Sequence, residues 1–332
     1  MTRMLVTGGA GFIGANFVHR TLRRHPRYEI TVLDALTYAS NEASLAAVRP
    51  DIRFVRGDVR DDGVVDRLVR EADVVVHFAA ESHVDNSLLD PDPFVRTNVV
   101  GTHVLLEAVR RYDRRLHHIS TDEVFGELPL AGGGRFTERT AYNPSSPYSA
   151  TKAGADLLVR AWARSFGVAA TISHGANNYG PYQHVEKFIP RQVTNVLTGR
   201  RPRLYGTGAN VREWTHVDDH NDGVHLILDR GRIGEAYLLG SGVQSSNLDL
   251  LRCLLELMHQ PADAFDHVPD RPGHDLRYAM DTGKVRAELG WRPRYAGLRA
   301  GLAATVDWYR DNDWWWQPHK ATAEARYRLS GR

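Results

Sequence analysis

Short apolar runs alternate with amphipathic stretches through the first half of the chain. Met4-Leu5-Val6-Thr7, Glu29-Ile30-Thr31-Val32-Leu33-Asp34, Ile52-Arg53-Phe54-Val55, Asp73-Val74-Val75-Val76-His77-Phe78 and Leu116-His117-His118-Ile119-Ser120 each have the length and β-branched content of a strand. Helical patterns lie between most of them, the first over 15–24. Such alternation predicts a parallel, doubly wound α/β sheet. Residues 92–111 read as one long helix with Pro93 in its first turn, and Val95, Val99, Leu106 and Val109 fall close to one face of it. Residues 148–166 read as a second long helix with Leu157, Leu158, Trp162 and Phe166 on its apolar face. Beyond about residue 175 the alternation thins and turn signals multiply, as in Asn178-Tyr179-Gly180-Pro181 and Arg271-Pro272-Gly273. Two lobes are expected: a nucleotide-binding sheet domain over 1–174 and 211–240, and a smaller α/β substrate-binding lobe over 175–210 and 241–332. The aromatic run from Trp308 to Trp316 fits a terminal helix packed on the body better than a patch for a partner.

Composition narrows the ligand classes. Among 332 residues, 42 basic side chains face 40 acidic ones with no long basic run, which argues against nucleic acid. Cys253 is the one cysteine and sits in an apolar run, as a buried, inert thiol does, so no disulfide within the chain is expected. No apolar run approaches the roughly 20 residues of a membrane-spanning helix, and a cytoplasmic protein that does not engage a membrane is expected. Lysine occurs only at 152, 187, 284 and 320. With so few, a Tyr-x-x-x-Lys spacing is expected far less than once by chance, yet Tyr148 and Lys152 form one.

Gly8, Gly11 and Gly14 follow the first strand and open the first helix. Their spacing permits a sharp turn, close approach of a pyrophosphate to backbone N–H groups, and tight packing of helix on strand. Asp34 ends the second strand 20 residues after Gly14, where a carboxylate hydrogen-bonds an adenosine ribose hydroxyl and repels a 2′-phosphate. A Rossmann-type domain that takes NAD in preference to NADP is the reading. Asp58, after the third strand, either meets the adenine edge or caps that strand.

The reaction chemistry is carried by Thr121, Asp122, Glu123, Tyr148 and Lys152. Tyr148 and Lys152 share a helix face. An ammonium and a positive nicotinamide ring together favour the phenolate, and lowering a tyrosine pKa by about three units takes about 4 kcal/mol. Asp122 and Glu123 stand at the carboxyl edge of the fifth strand, where ligands of open α/β sheets bind. Neighbours in a regular strand point to opposite faces, so both reach one substrate only if the chain leaves strand geometry there. Two carboxylates in one enclosed site push their pKa values apart, giving an acid and a base. Simple oxidation needs one base; this set points to elimination.

From Thr7-Gly8-Gly9-Ala10-Gly11-Phe12-Ile13-Gly14 through Asp34-Ala35-Leu36-Thr37-Tyr38-Ala39, Ala79-Ala80-Glu81-Ser82-His83-Val84-Asp85, Thr121-Asp122-Glu123-Val124, Pro147-Tyr148-Ser149, Asn177-Asn178-Tyr179-Gly180-Pro181-Tyr182-Gln183 and Arg212-Glu213-Trp214 to Asp270-Arg271-Pro272-Gly273-His274-Asp275, the chain resembles the nucleotide-sugar 4,6-dehydratases of the extended short-chain dehydrogenase/reductase superfamily. The resemblance implies that Tyr148 takes the proton of the glucose 4-hydroxyl while C4 gives a hydride to NAD, and that Thr121 holds the 4-oxygen. Glu123 then removes the C5 proton, Asp122 protonates the departing 6-hydroxyl, and the hydride returns to C6. It further implies cofactor contacts at Gly8, Gly11, Phe12, Ile13, Gly14, Asp34, Leu36, Thr37, Asp58, Val59, Ala79, Ala80, Ser82, Thr97, Tyr148, Lys152 and Asn178. Substrate contacts are implied at His83, Ser87, Thr121, Asn177, Lys187, Phe188, Arg203, Tyr205, Arg212, Asn247, Arg271 and His274. No metal is implied. The substrate is a sugar nucleotide, with dTDP-glucose favoured over UDP- or CDP-glucose, and a homodimer through the two long helices is expected.

Related epimerases and decarboxylases share the glycines and the Tyr/Lys pair but typically lack an acid at the position of Asp122. They are the nearest alternative, and a non-catalytic NAD-binding regulator is the more distant one. Phe125, Ala176, Arg203 and Thr215-His216 depart from the family pattern without removing a proposed catalytic group.

Overall fold

The computed structural model describes residues 2–270 and 273–329. Seven parallel strands form the main sheet: β1 (Arg3–Thr7), β2 (Glu29–Asp34), β3 (Ile52–Arg56), β4 (Val74–His77), β5 (Arg115–Thr121), β6 (Ala170–Gly175) and, after a long excursion, a strand at Ala236–Leu239. Side chains of β1 alternate between the faces. Met4 and Val6 join Phe17, Ile30, Val32, Val76 and Trp291 on one side. Leu5 joins Leu33, Val75, Leu105, Leu106, Val109 and Leu116 on the other. A sheet buried on both faces accounts for strands that read as continuous apolar runs. From β3 the order runs β3-β2-β1-β4-β5-β6, so it reverses between β1 and β4, and this is where a crevice opens at the strand ends.

Helices α1 (Phe12–Arg24), α2 (Asp62–Glu71) and the short α3 (Val84–Leu89) precede the first long helical stretch. That stretch begins as α4 (Asp92–Phe94), passes through wide π turns over Val95–Gly101 and ends as α5 (Thr102–Tyr112). The expected helix is present, but its middle is not regular. The Asn98 side chain there exchanges hydrogen bonds with Glu81, at 2.9 Å from its N–H and 3.0 Å to its carbonyl, and donates to Thr151 at 2.9 Å. Leu106 and Val109 enter the core, whereas Val95 stays exposed.

The second long helix is α6 (Pro147–Phe166), started by a Ser146/Ser149 capping box with Pro147 in its first turn and stopped by Gly167 in the left-handed conformation. Its buried face coincides only in part with the one that carries the large apolar residues: Leu158 and Trp162 border the core. Tyr148, Thr151, Lys152, Ala155, Asp156 and Val159 point inward, while Leu157 and Phe166 are 57% and 50% exposed.

The smaller lobe holds β7 (Asn177–Tyr179), α7 (Phe188–Leu197), β8 (Arg203–Tyr205) and β9 (Val211–His216). The chain then returns through α8 (Val217–Arg230), packed beside α1, to β10 (Ala236–Leu239) at the edge of the main sheet. Back in the small lobe come β11 (Gln244–Ser246), α9 (Asn247–Leu257) and β12 (Asp266–Val268); α10 (Gly283–Leu289) packs beside β10 and α8 on the main sheet, and α11 (Leu298–Asp311) and α12 (Asp313–Leu329) follow. β11, β9 and β7 make a mixed three-stranded sheet and β12 pairs with β8 in parallel.

The terminal aromatics pack as the packing reading expects. Trp315 and Trp316 are buried, and their ring N–H groups donate to Ser44 Oγ at 3.1 Å and to the Tyr309 carbonyl at 2.7 Å. Among the described residues no helix is long and apolar enough to cross a membrane.

Candidate active site

A cleft of about 560 Å³ runs along the carboxyl ends of β1, β2, β4, β5 and β6. At one end the glycine turn after β1 meets the end of β4. Gly8 has φ +71, and a Cβ built there would lie 2.5 Å from the Ala79 backbone nitrogen; one on Gly14 would lie 2.3 Å from the Gly8 carbonyl oxygen. Both positions therefore need glycine, one for its left-handed backbone and both for closeness. Gly8→Ala is expected to cost at least about 1–2 kcal/mol from backbone conformation alone, and to push the turn off β4. Cofactor content after purification and the unfolding midpoint measure this; a variant with unchanged values would contradict it.

Asp34 is buried at the mouth of β2, where its two oxygens accept the N–H groups of Ala10 at 2.9 Å and Leu36 at 2.8 Å. Burial pushes its carboxyl up, and those hydrogen bonds oppose the rise. Asp58 both lines the cleft and binds its own loop, holding Arg60 at 2.6 Å. Of the residues expected to touch a cofactor, all line this cleft except Leu36, whose left-handed backbone (φ 53) turns its side chain to the core beside β2.

The five expected catalytic groups converge at the inner part of the cleft. β5 ends at Thr121 and the chain tightens into a 3-10 turn over Asp122–Phe125, capped by Thr121 Oγ1 accepting the Glu123 N–H at 3.3 Å. That turn is the departure from strand geometry that lets adjacent carboxylates face one site. Asp122 is 1% exposed; its Oδ1 accepts from Thr121 Oγ1 at 3.4 Å. Burial first, then the charges of Glu123 and Glu213, hold its carboxyl well above the usual range against the pull of Arg212. Its surroundings thus favour the protonated form of Asp122, the form a general acid needs. Burial, then Glu123, also push the Tyr148 hydroxyl up, while a hydrogen bond with Thr121 draws it down. Burial lowers the Lys152 ammonium to about 8, with Asp156 opposing. Its Nζ donates to the Ile119 carbonyl at 2.7 Å.

Five buried polar atoms on the cleft wall, Asp122 Oδ2, Asn177 Oδ1, Asn178 Oδ1, Gln183 Oε1 and His220 Nε2, have no hydrogen-bond partner among the described residues. Buried polar groups are otherwise nearly always paired. A bare glycine cradle, a ribose-side carboxylate and these unsatisfied atoms together fit a dinucleotide with a polar substrate beside it.

The expected substrate contacts divide into groups. Thr121, Asn177 and Lys187 line the cleft, and Lys187 donates to the Ser82 carbonyl at 2.8 Å. Tyr205 and His274 form a second cluster farther into the small lobe: the Tyr205 hydroxyl donates to Asp85 at 3.0 Å, and His274 lies 2.7 Å from Asp270. His83 is buried near Tyr327 and Glu186. Ser87 is buried and bonds its own helix at the Val84 carbonyl. Phe188 stacks on Trp214, Arg203 is tied through its backbone to Gln192, and Asn247 heads α9. Arg212 does not line the cleft; its fork donates to the Val211 and Asp275 carbonyls and lies 4.3 Å over the Tyr278 ring. Arg271 lies outside the described residues.

Sequence reasoning missed Asn98, Glu213, His220 and Asp156. Only Asp156 carried a signal, its i+4 spacing from Lys152.

A family model described as GDP-mannose 4,6 dehydratase matches residues 5–302 of the chain. The dTDP-glucose 4,6-dehydratase of Mycobacterium tuberculosis (strain CDC 1551 / Oshkosh) is 64% identical over 329 residues, 99% of each chain. The crystal structure of DesIV, the dTDP-glucose 4,6-dehydratase of Streptomyces venezuelae with NAD bound, superimposes with a TM-score of 0.92 at 49% identity, covering 96% of this chain and all of that one. A UDP-glucose 4-epimerase from Thermotoga maritima is more distant, at 27% identity and a TM-score of 0.86 over 93% of this chain and 99% of its own.

Proposed function

The chain belongs to the GDP-mannose 4,6-dehydratase family, and from that membership we propose that it is a dTDP-glucose 4,6-dehydratase, a hydro-lyase that uses bound NAD to turn dTDP-glucose into the 4-keto-6-deoxy sugar nucleotide. The observation that carries this reading is the meeting, in one cleft with Tyr148 and Lys152, of a carboxyl that burial pushes towards its protonated form and a second carboxylate on the adjacent residue.

When bound, NAD supplies a positive ring that favours the Tyr148 phenolate and that takes a hydride from C4 and gives it back at C6. Its pyrophosphate is held by the Gly8 to Gly14 turn and its ribose by Asp34, a carboxylate that favours NAD over NADP. Tyr148 takes the proton of the 4-hydroxyl, and Thr121 holds the 4-oxygen. The C5 hydrogen, acidified by the new ketone, goes as a proton to Glu123, which returns a proton to C5 when C6 receives the hydride. Asp122, its carboxyl pushed up by burial, gives its proton to the 6-hydroxyl so that water rather than hydroxide departs. Asn177 and Lys187 contact the sugar and diphosphate, and the Tyr205 and His274 cluster the nucleoside. Residues 1–174 and 211–240 are assigned to the NAD domain and the remainder to the sugar-nucleotide lobe. β9, placed by that division in the NAD domain, pairs with the small-lobe strands β7 and β11.

Incubation with dTDP-, UDP- and CDP-glucose, with product masses read, tests the assignment. Loss of one water from dTDP-glucose, with a 4-keto chromophore in alkali, is the expected result; a C4 epimer, released carbon dioxide, or cofactor binding without turnover would overturn it. We also infer a homodimer through the helical stretch over 92–111 and α6 in a cytoplasmic enzyme. Val95, Val100, Leu157 and Phe166 are exposed apolar residues on these neighbouring helical stretches, the kind of patch that a partner covers. A monomer mass in sedimentation equilibrium would refute the dimer.

A further inference from the structure

Lys152 has a buried counter-charge that the dehydratase reading leaves without a task. One helical turn farther along α6, Asp156 is fully buried. Its Oδ2 accepts from Ser120 Oγ at 2.8 Å and from the Tyr142 hydroxyl at 3.1 Å, with His174 Nε2 at 3.0 Å. Its Oδ1 lies 3.3 Å from His118 Nε2, and that same nitrogen is 3.5 Å from Lys152 Nζ. One imidazole therefore sits between the ammonium and the carboxylate.

The charges around this pair come from every element packed on it. On β5, His118 is lowered to about 4 by burial and then by the Lys152 charge, so it is neutral. On β4, His77, with its ring 5.2 Å from that of His118, is held neutral by burial and bonded to Thr7 and Thr102. Before α6, burial and then the Asp156 charge keep the Tyr142 hydroxyl protonated, and Arg160 lies 5.2 Å over its ring. Burial favours a neutral Asp156, but His174 and the hydrogen bonds from His118 and His174 outweigh it and hold the carboxyl well below the usual range. On this side of α6 the charge facing the ammonium is that of Asp156, and low polarity makes it felt strongly.

We propose that Asp156 is a positioning residue for the oxidation step: across His118 it keeps the Lys152 ammonium charged and anchored at the Ile119 carbonyl, and so sets the alkaline limit of the pH range in which Tyr148 serves as base. The inference rests on the dehydratase reading. Its test is the pH dependence of kcat/KM for dTDP-glucose, measured with NAD-loaded wild type, Asp156→Asn, Asp156→Glu and Tyr142→Phe.

Asp156→Asn is expected to move the alkaline limb down by about one pH unit or more, since an opposite charge at such range is worth about that much. Asp156→Glu, which keeps the charge, and Tyr142→Phe, which removes only a donor to it, are expected to leave the limb near its wild-type position even if rates fall. A normalised profile does not depend on the folded fraction, so a poorly folding variant still answers. An unmoved limb in Asp156→Asn, or an equal shift in Asp156→Glu, overturns the proposal while the dehydratase reading stands. A wild type that removes no water from any sugar nucleotide removes that reading, and the inference with it.

Discussion

Tyr148→Phe is expected to lower turnover by about 10²–10⁴-fold, the range typical for loss of a positioned base, with the fold and cofactor content intact. The ring of Tyr148 packs edge-on against Phe94, with centroids 6.4 Å apart, and phenylalanine keeps that contact. What is lost is the hydroxyl bonded to Thr121 inside the cleft. Because burial and Glu123 push that hydroxyl up, the protein alone does not make it a base; the positive charges of Lys152 and the nicotinamide ring have to. The first oxidation should therefore suffer most, visible as slow formation of reduced cofactor in a single turnover. A variant within tenfold of wild type would assign the first proton to another group.

Asp122→Asn is expected to separate the two halves of the reaction. Oxidation at C4 stays measurable, reduced cofactor accumulates, and loss of water falls by about 10²–10³-fold, because an amide occupies the space of a neutral carboxyl but has no acidic proton to give. Equal loss of both steps would remove Asp122 as the acid. Stability provides a second readout. In the folded protein the Asp122 carboxyl is held well above its ordinary value by burial and its neighbours, so folding takes up a proton at pH values above about 4. A raised acid stabilises least at high pH: the folded state loses ground as pH climbs from the unfolded value towards the folded one. Asparagine removes that slope. The variant should be at least as stable as wild type at neutral pH, with a flatter dependence from pH 4 upward; denaturant titrations across that range decide it.

The sheet was legible because strands buried on both faces have little choice but to be continuous apolar runs, and the glycine turn because its backbone demands are local. The departure from strand geometry at Asp122 was legible as a requirement of the chemistry. Other features left no mark. Wide turns over Val95–Gly101 keep a helical pattern of apolar residues, so nothing in the spacing betrays them. The inward face of α6 was misread in part for a physical reason: Lys152 and Asp156 are buried there by partners on β5 and β6, so Leu158 and Trp162 only border the core and Leu157 and Phe166 turn outward. Arg212 has the right chemistry for a diphosphate, but its fork is committed to backbone carbonyls and the Tyr278 ring, a commitment fixed only by tertiary placement. Tyr205 and His274, 69 positions apart, meet because β12 pairs with β8, and no local pattern announces that.

The last helix gives the protein an order of assembly. Ser44 and Asn41, in and capping the 3-10 helix Glu42–Asp51 that follows β2, are held by Trp315 and His319, which follow them by 271 and 278 positions. At a synthesis rate of about 5–20 residues per second, a ribosome needs roughly 15–55 s to deliver those partners. A nascent chain can thus complete its central strands long before this segment acquires its final support, and the segment's protection from protease should appear only once α12 has been delivered and has docked.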